Sequence, residues 1–139
     1  MKQLECILLV DDDKATNFLN RRLLRKMEAA KEIEVVRNGS EAMEYLEKSV
    51  AGKTGFLPPN LILLDINMPL VDGWEFLQRY ADFSENYKAS TVVVMLTTSL
   101  RESDQERVTQ FKEVKSLIRK PLTQEAVEQI LAQHFPEKK

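Results

Sequence analysis

The sequence predicts an α/β fold: a five-stranded parallel sheet in the order 2-1-3-4-5 with helices on both faces. Short apolar runs alternate along the chain with segments of helical periodicity, as strand-crossover-strand units require. Three of the runs, Cys6 to Val10, Leu61 to Leu64 and Thr91 to Leu96, are continuous, the pattern of strands covered on both sides. The other two, around Ile33 and Val35 and from Val114 to Arg119, are half polar and read as edges. Right-handed crossovers then leave 2-1-3-4-5 as the expected order.

In chain order, strand 1 (Cys6 to Val10) runs into three acids, Asp11, Asp12 and Asp13. From Lys14 the apolar positions Ala15, Phe18, Leu19, Leu23 and Met27 share one face of the first helix, its expected buried side. Ile33 and Val35 alternate with Glu32 and Glu34 in strand 2. Asn38-Gly39 turns the chain, Glu41 is available to complete a cap, and Ala42, Met43, Leu46 and Val50 form the next apolar stripe. An exposed loop, Ala51 to Asn60, precedes the central strand, which ends at Asp65. Met68-Pro69 to Asp72-Gly73 is turn material, and Asp72 with Glu75 reads as an N-cap and its reciprocal partner for a helix that turns Leu77, Tyr80 and Phe83 inward. Strand 4 ends in Thr97, Thr98 and Ser99, and Ser103 with Glu106 reads as a capping box for a short helix carrying Val108 and Phe111. Strand 5 ends at Lys120-Pro121, and Thr123 caps a last helix with Val127, Ile130, Leu131 and Phe135 inward.

A chain of 139 residues suffices for one three-layer domain, here 1–139 with its core from about Leu4 to Phe135 and a short charged tail, and leaves no room for a second folded module. With 43% apolar and 30% charged residues, no apolar run of membrane length and no cleavable leader before strand 1, a cytoplasmic protein without membrane contact is expected. One cysteine, Cys6, excludes an internal disulfide, and one histidine, His134, leaves too few ligands for a Cys/His zinc site. Cys6 is expected in the core, and His134 is expected to complement a helix C-terminus as a cation. A net charge of −2 gives no basic footprint for nucleic acid.

The polar residues gather at the carboxyl ends of the strands, the edge where open α/β sheets bind ligands. Asp11 to Asp13 follow strand 1, Asp65 ends strand 3, Thr97 ends strand 4 and Lys120 follows strand 5, so all belong to one rim. Two carboxylates roughly 4 Å apart repel by about 4 kcal/mol at an effective dielectric near 20, a problem that a divalent cation removes. Hard oxygen ligands with open positions suit Mg²⁺. The natural substrate is a phosphoryl group, whose oxygens would meet the metal, the Lys120 ammonium and the Thr97 hydroxyl while Asp65 attacks in line and becomes an acyl phosphate. Singly, each residue has a plainer reading. The acids could equally cap the first helix, Asp65 could be a turn residue, Thr97 and Thr98 could serve strand packing, Lys120 could be solvated, and Trp74 and the Phe residues read as core.

Val10 to Asp13 (VDDD), Leu63 to Gly73 (LLDINMPLVDG), Thr97 and Lys120-Pro121 together resemble the CheY-like receiver domain of bacterial two-component response regulators, over essentially the whole chain. Such domains share the flavodoxin-like strand order, so the order and the resemblance are not independent. The resemblance implies that Asp65 is the phosphoacceptor, that Asp12 binds Mg²⁺ directly and Asp11 mainly through water, and that Asp65 and the backbone carbonyl of Asn67 complete the metal set. It implies that Thr97 follows the phosphoryl group, that Lys120 ion-pairs with it, and that the Lys120-Pro121 bond is cis. The implied donor is a phosphohistidine on a sensor histidine kinase or histidine phosphotransfer protein, and the downstream protein target is unknown. One position departs from the pattern: where many receivers carry Tyr or Phe as a rotamer switch three residues before the lysine, this chain has Leu117, which leaves open how activation reaches the surface of helix 4, strand 5 and helix 5. Asn67 and Ser99 look like the positions that tune acyl-phosphate lifetime.

Three functions compete. The first is a stand-alone response regulator receiver, not an enzyme, that signals by protein contact or phosphorelay, since no output module follows Phe135. The second is a Mg²⁺-dependent aspartate-nucleophile phosphatase of the haloacid-dehalogenase type. That class wants an acid two residues after the nucleophile, where Asn67 stands, and usually a cap domain. The third is a degenerate receiver acting as a phosphorylation-independent binding module, against which the intact Asp11, Asp12, Asp65, Thr97 and Lys120 argue.

Overall fold

The computed structural model describes residues 3–66, 68, 72–83 and 91–136. Within them, five parallel strands lie in the order β2-β1-β3-β4-β5, as expected. They are β1 (Leu4–Val10), β2 (Ala30–Val36), β3 (Leu61–Asp65), β4 (Val92–Thr97) and β5 (Val114–Arg119), joined through helices α1 (Lys14–Lys26), α2 (Gly39–Val50), α3 (Gly73–Tyr80), α4 (Glu102–Val108) and α5 (Gln124–His134). The three continuous apolar runs are the central strands and the two half-polar ones the edges. Parallel pairing forces each connection across a face of the sheet, and side-chain alternation divides the core in two. Leu8, Val10, Ile62, Leu64, Val93 and Met95 pack under α2 and α3, with Val108, Phe111 and Leu117 partly buried against them. Ile7, Leu9, Leu61, Leu63, Val94 and Leu96 pack under α1 and α5. No helix among the described residues is long and apolar enough to cross a membrane.

Most predicted caps form. Asn38 Oδ1 accepts from Glu41 N at 2.8 Å, while Glu41 reaches back to accept from Arg37 N at 2.9 Å. Asp72 Oδ1 accepts from Glu75 N at 2.9 Å, and Thr123 Oγ1 from Ala126 N at 3.1 Å. The Ser103 capping box does not: α4 starts two residues earlier than that box requires, behind Arg101, without a side-chain cap bond. The loop from Ala51 to Asn60, though mostly exposed, is tied down at its end, where Asn60 Oδ1 accepts from Glu5 N and Cys6 N. Cys6 is fully buried, as expected.

The largest departure is the roll of α1. Phe18 and Leu19, expected inward, are 65% and 60% exposed, and the helix instead buries Asn17, Asn20 and Leu24, on nearly the opposite side. Of the expected stripe only Leu23 and Met27 stay partly buried against the core, because the helix is held at its start by polar bonds: Asp13 caps it through Ala15 N, and Asn17 Nδ2 donates to the Asp11 carbonyl at 2.8 Å. In α2, Tyr45 rather than Val50 is buried. His134 also departs from expectation: burial, with the nearby Lys115 charge, pushes its pKa down and disfavours the cation expected at a helix end.

Candidate functional site

The rim is assembled by strand register. Val10 pairs with Leu64, Leu64 with Met95, and Met95 with Leu117, so the residues that follow in β1, β3, β4 and β5 leave the sheet at one level. Asp11, Asp12 and Asp65 each bring a carboxylate oxygen into a cluster whose members lie within 4.8 Å of one another. Asp11 and Asp65 are buried, at 4% and 5% exposure, whereas Asp12 faces solvent. Asp13 stays out of the cluster. Its carboxylate accepts from Thr16 Oγ1 at 2.7 Å and from Ala15 N at 3.1 Å, and these bonds hold its pKa below the usual carboxylate value. The run of acids thus divides its labour, two for the cluster and one for the helix.

The Lys120 ammonium lies 2.8 Å from Asp11 Oδ2 and 3.1 Å from Asp65 Oδ1. Burial alone would lower its pKa, but the bond to Asp11 and the charges of Asp65 and Asp11 outweigh that and raise it. The lysine is therefore a fixed cation between two buried anions. Its backbone is fixed too: Lys120 N donates to the Thr97 carbonyl at 2.6 Å, and the Lys120-Pro121 bond is cis. Thr97 is 2% exposed, and its hydroxyl both donates to the Ser99 carbonyl at 2.8 Å and accepts from Ser99 N at 3.2 Å.

Two further residues shape the site. Gly73 N donates to the Ile66 carbonyl at 3.0 Å, and a Cβ added at Gly73 would stand 2.7 Å from the Asp65 carbonyl oxygen. A side chain there would push the α3 start away from the strand carrying Asp65. Asn17, 8% exposed, fixes the Asp11 carbonyl, and sequence reasoning missed it because the apolar stripe of α1 placed that position on the outward face. Asn67, expected to supply a backbone carbonyl, lies outside the described residues.

Residues 7–132 match the family described as the response regulator receiver domain. The chain belongs to this family. Receiver domains are phosphoacceptor signalling modules of two-component signal transduction and partner with histidine kinases. Among relatives, the chain is 40% identical over 100 residues to response regulator Rcp1 of Synechocystis sp., covering 70% of this chain and 65% of Rcp1. It is 38% identical over 117 residues to the probable methanogenesis regulatory protein FilR2 of Methanothrix harundinacea, covering 84% of this chain and 72% of that one. The crystal structure of a two-component response regulator from Cytophaga hutchinsonii superposes with a TM-score of 0.86 at 31% identity, over 98% of this chain and 100% of that one. Three carboxylates converging with two of them buried make the hard-oxygen donor set of a receiver Mg²⁺ site, and the donors present fit that ion.

Proposed function

We propose that this receiver accepts a phosphoryl group from a phosphohistidine donor onto Asp65, in a Mg²⁺-dependent reaction in the cytoplasm, and signals by protein contact or onward phosphotransfer. The observation that carries the reading is the cluster of Asp11, Asp12 and Asp65 with the Lys120 ammonium between two of them. Asp11, Asp12, Asp65 and the Asn67 carbonyl would hold the ion, which when bound supplies positive charge to the phosphoryl oxygens. Asp65 attacks phosphorus as the donor's P–N bond breaks, and the imidazole leaves with the bonding pair and takes up a proton. Lys120 turns from the carboxylates to the new phosphoryl oxygens, and the Thr97 hydroxyl turns from the Ser99 carbonyl to donate to one of them.

A donor protein needs a landing surface beside this rim. A groove of about 480 Å³ opens there, lined by Thr16, Leu19, Leu23, Thr98, Lys120 and Leu122 among others, with Phe18 and Leu19 exposed on the α1 side. Apolar side chains exposed together are the usual mark of a contact surface.

Incubation with Mg²⁺ and acetyl phosphate tests the reading. Stable label on Asp65 is expected. Rapid turnover of the phosphodonor points to a phosphatase, and no label to a binding module. Asp65→Asn should abolish labelling with the fold intact, and persistent labelling would move the acceptor elsewhere.

A further inference from the structure

The geometry points to Trp74 and Arg107 as the contact through which the state of Asp65 reaches α4, in a chain that carries Leu117 where a switch aromatic is usual; this inference rests on the phosphoacceptor reading above. Trp74 is the single tryptophan of the chain and 5% exposed. It sits on the first turn of α3, directly after Gly73, whose N–H is bonded to the Ile66 carbonyl and which approaches the strand so closely that an added Cβ would stand 2.7 Å from the Asp65 carbonyl oxygen. One side of the contact is thereby anchored to the backbone of the acceptor. On its other side the Arg107 guanidinium of α4 lies 4.5 Å from the Trp74 ring centroid, and Phe111, just beyond α4, packs on the same ring at 6.0 Å.

α4 is held lightly. It has seven residues, none buried, and no side-chain cap. The connection leading into it is closed by the Thr97 hydroxyl, which donates to Ser99 O and accepts from Ser99 N. A hydroxyl has one proton to donate, so Thr97 can serve a phosphoryl oxygen on Asp65 only by giving up the Ser99 carbonyl. Phosphorylation therefore loosens the entry to α4 while leaving α3 and Trp74 anchored, and the contact that must change between a fixed and a loosened element is Arg107 on Trp74. A contact that favours the resting arrangement also opposes phosphorylation, because the coupling is reciprocal.

Tryptophan emission and its quenching by acrylamide, followed beside phosphoprotein gel mobility on addition of acetyl phosphate to Mg²⁺-loaded protein, decide the matter. Expected are a red shift and increased quenching that grow in step with the labelled fraction, and neither in Asp65→Asn. Arg107→Ala should show the shifted spectrum before any phosphodonor is added and should label faster than wild type, while Arg107→Lys, which keeps a cation over the ring, should behave more nearly as wild type. Labelled wild type with unchanged emission and quenching, or Arg107→Ala that starts and responds like wild type, would overturn the relay and leave the acceptor assignment standing. Absence of label would bring down both.

Discussion

Replacing Lys120 with methionine keeps most of the side chain's length and removes its charge, leaving Asp11 and Asp65 facing each other. Their oxygens lie within 4.8 Å and both residues are at least nine-tenths buried, so water cannot readily take the place of the ammonium. Two charges at that separation repel by about 3.5 kcal/mol at an effective dielectric near 20. Removing one partner from a buried ion pair typically costs about 3–5 kcal/mol. In the absence of divalent cations, Lys120→Met should therefore lower the unfolding free energy by about 3–5 kcal/mol, read from urea denaturation with the slope unchanged. With saturating Mg²⁺ the deficit should shrink, since an ion that binds only the folded cluster stabilises it by mass action. Adding Asp11→Asn to Lys120→Met should recover part of the loss, because the remaining carboxylate then has no like charge beside it. A deficit below about 1 kcal/mol, or one indifferent to Mg²⁺, would refute the view that these acids repel each other and are neutralised by the lysine.

Other outcomes follow from the same geometry. Because the folded pKa of Lys120 is raised, its stabilisation is fully present below the unfolded lysine value of about 10.4 and is lost as pH rises through the higher folded value. The urea midpoint of the wild type should therefore fall more steeply than that of Lys120→Met in that alkaline window, and parallel profiles would argue against the coupling. Gly73→Ala places a Cβ 2.7 Å from the Asp65 carbonyl oxygen and should cost about 1–3 kcal/mol while slowing acetyl phosphate labelling; wild-type stability and rate would show that the loop yields freely. Phe18→Asp, at a 65% exposed position, should change stability by less than about 0.5 kcal/mol and leave acetyl phosphate labelling intact. Transfer from a phosphohistidine donor protein should meanwhile fall about tenfold or more, equivalent to about 1.4 kcal/mol of binding. An unaffected transfer rate would remove α1 from the donor's landing surface.

Much of this protein is local, and local structure is legible in a sequence. Continuous apolar runs against half-polar ones distinguished the central strands from the edges, because a strand covered on both faces has no solvated side to accommodate a polar residue. The acids, the threonine and the lysine at strand ends marked the rim, because a charge is tolerated where a buried strand emerges and not within it. Short-range capping was readable wherever the competing positions were few, at Asn38, Asp72 and Thr123, and failed at Ser103, where the helix began without a cap bond.

What only the folded molecule decided were choices between groups of similar chemistry. Three consecutive acids are alike on paper; the start of α1 assigned Asp13 to the cap, while register delivered Asp11 and Asp12 to the cluster. The amphipathic pattern of α1 pointed Phe18 and Leu19 to the core, but a buried amide on the Asp11 carbonyl set the roll of the helix. The burial of Trp74 between α3 and an arginine of α4 likewise depends on residues some 33 positions apart in the chain meeting across one face of the sheet. Hydrophobic periodicity reports which side of an element prefers to be dry. It carries no information about a polar bond made to a distant backbone, and near a functional edge such bonds fix the geometry.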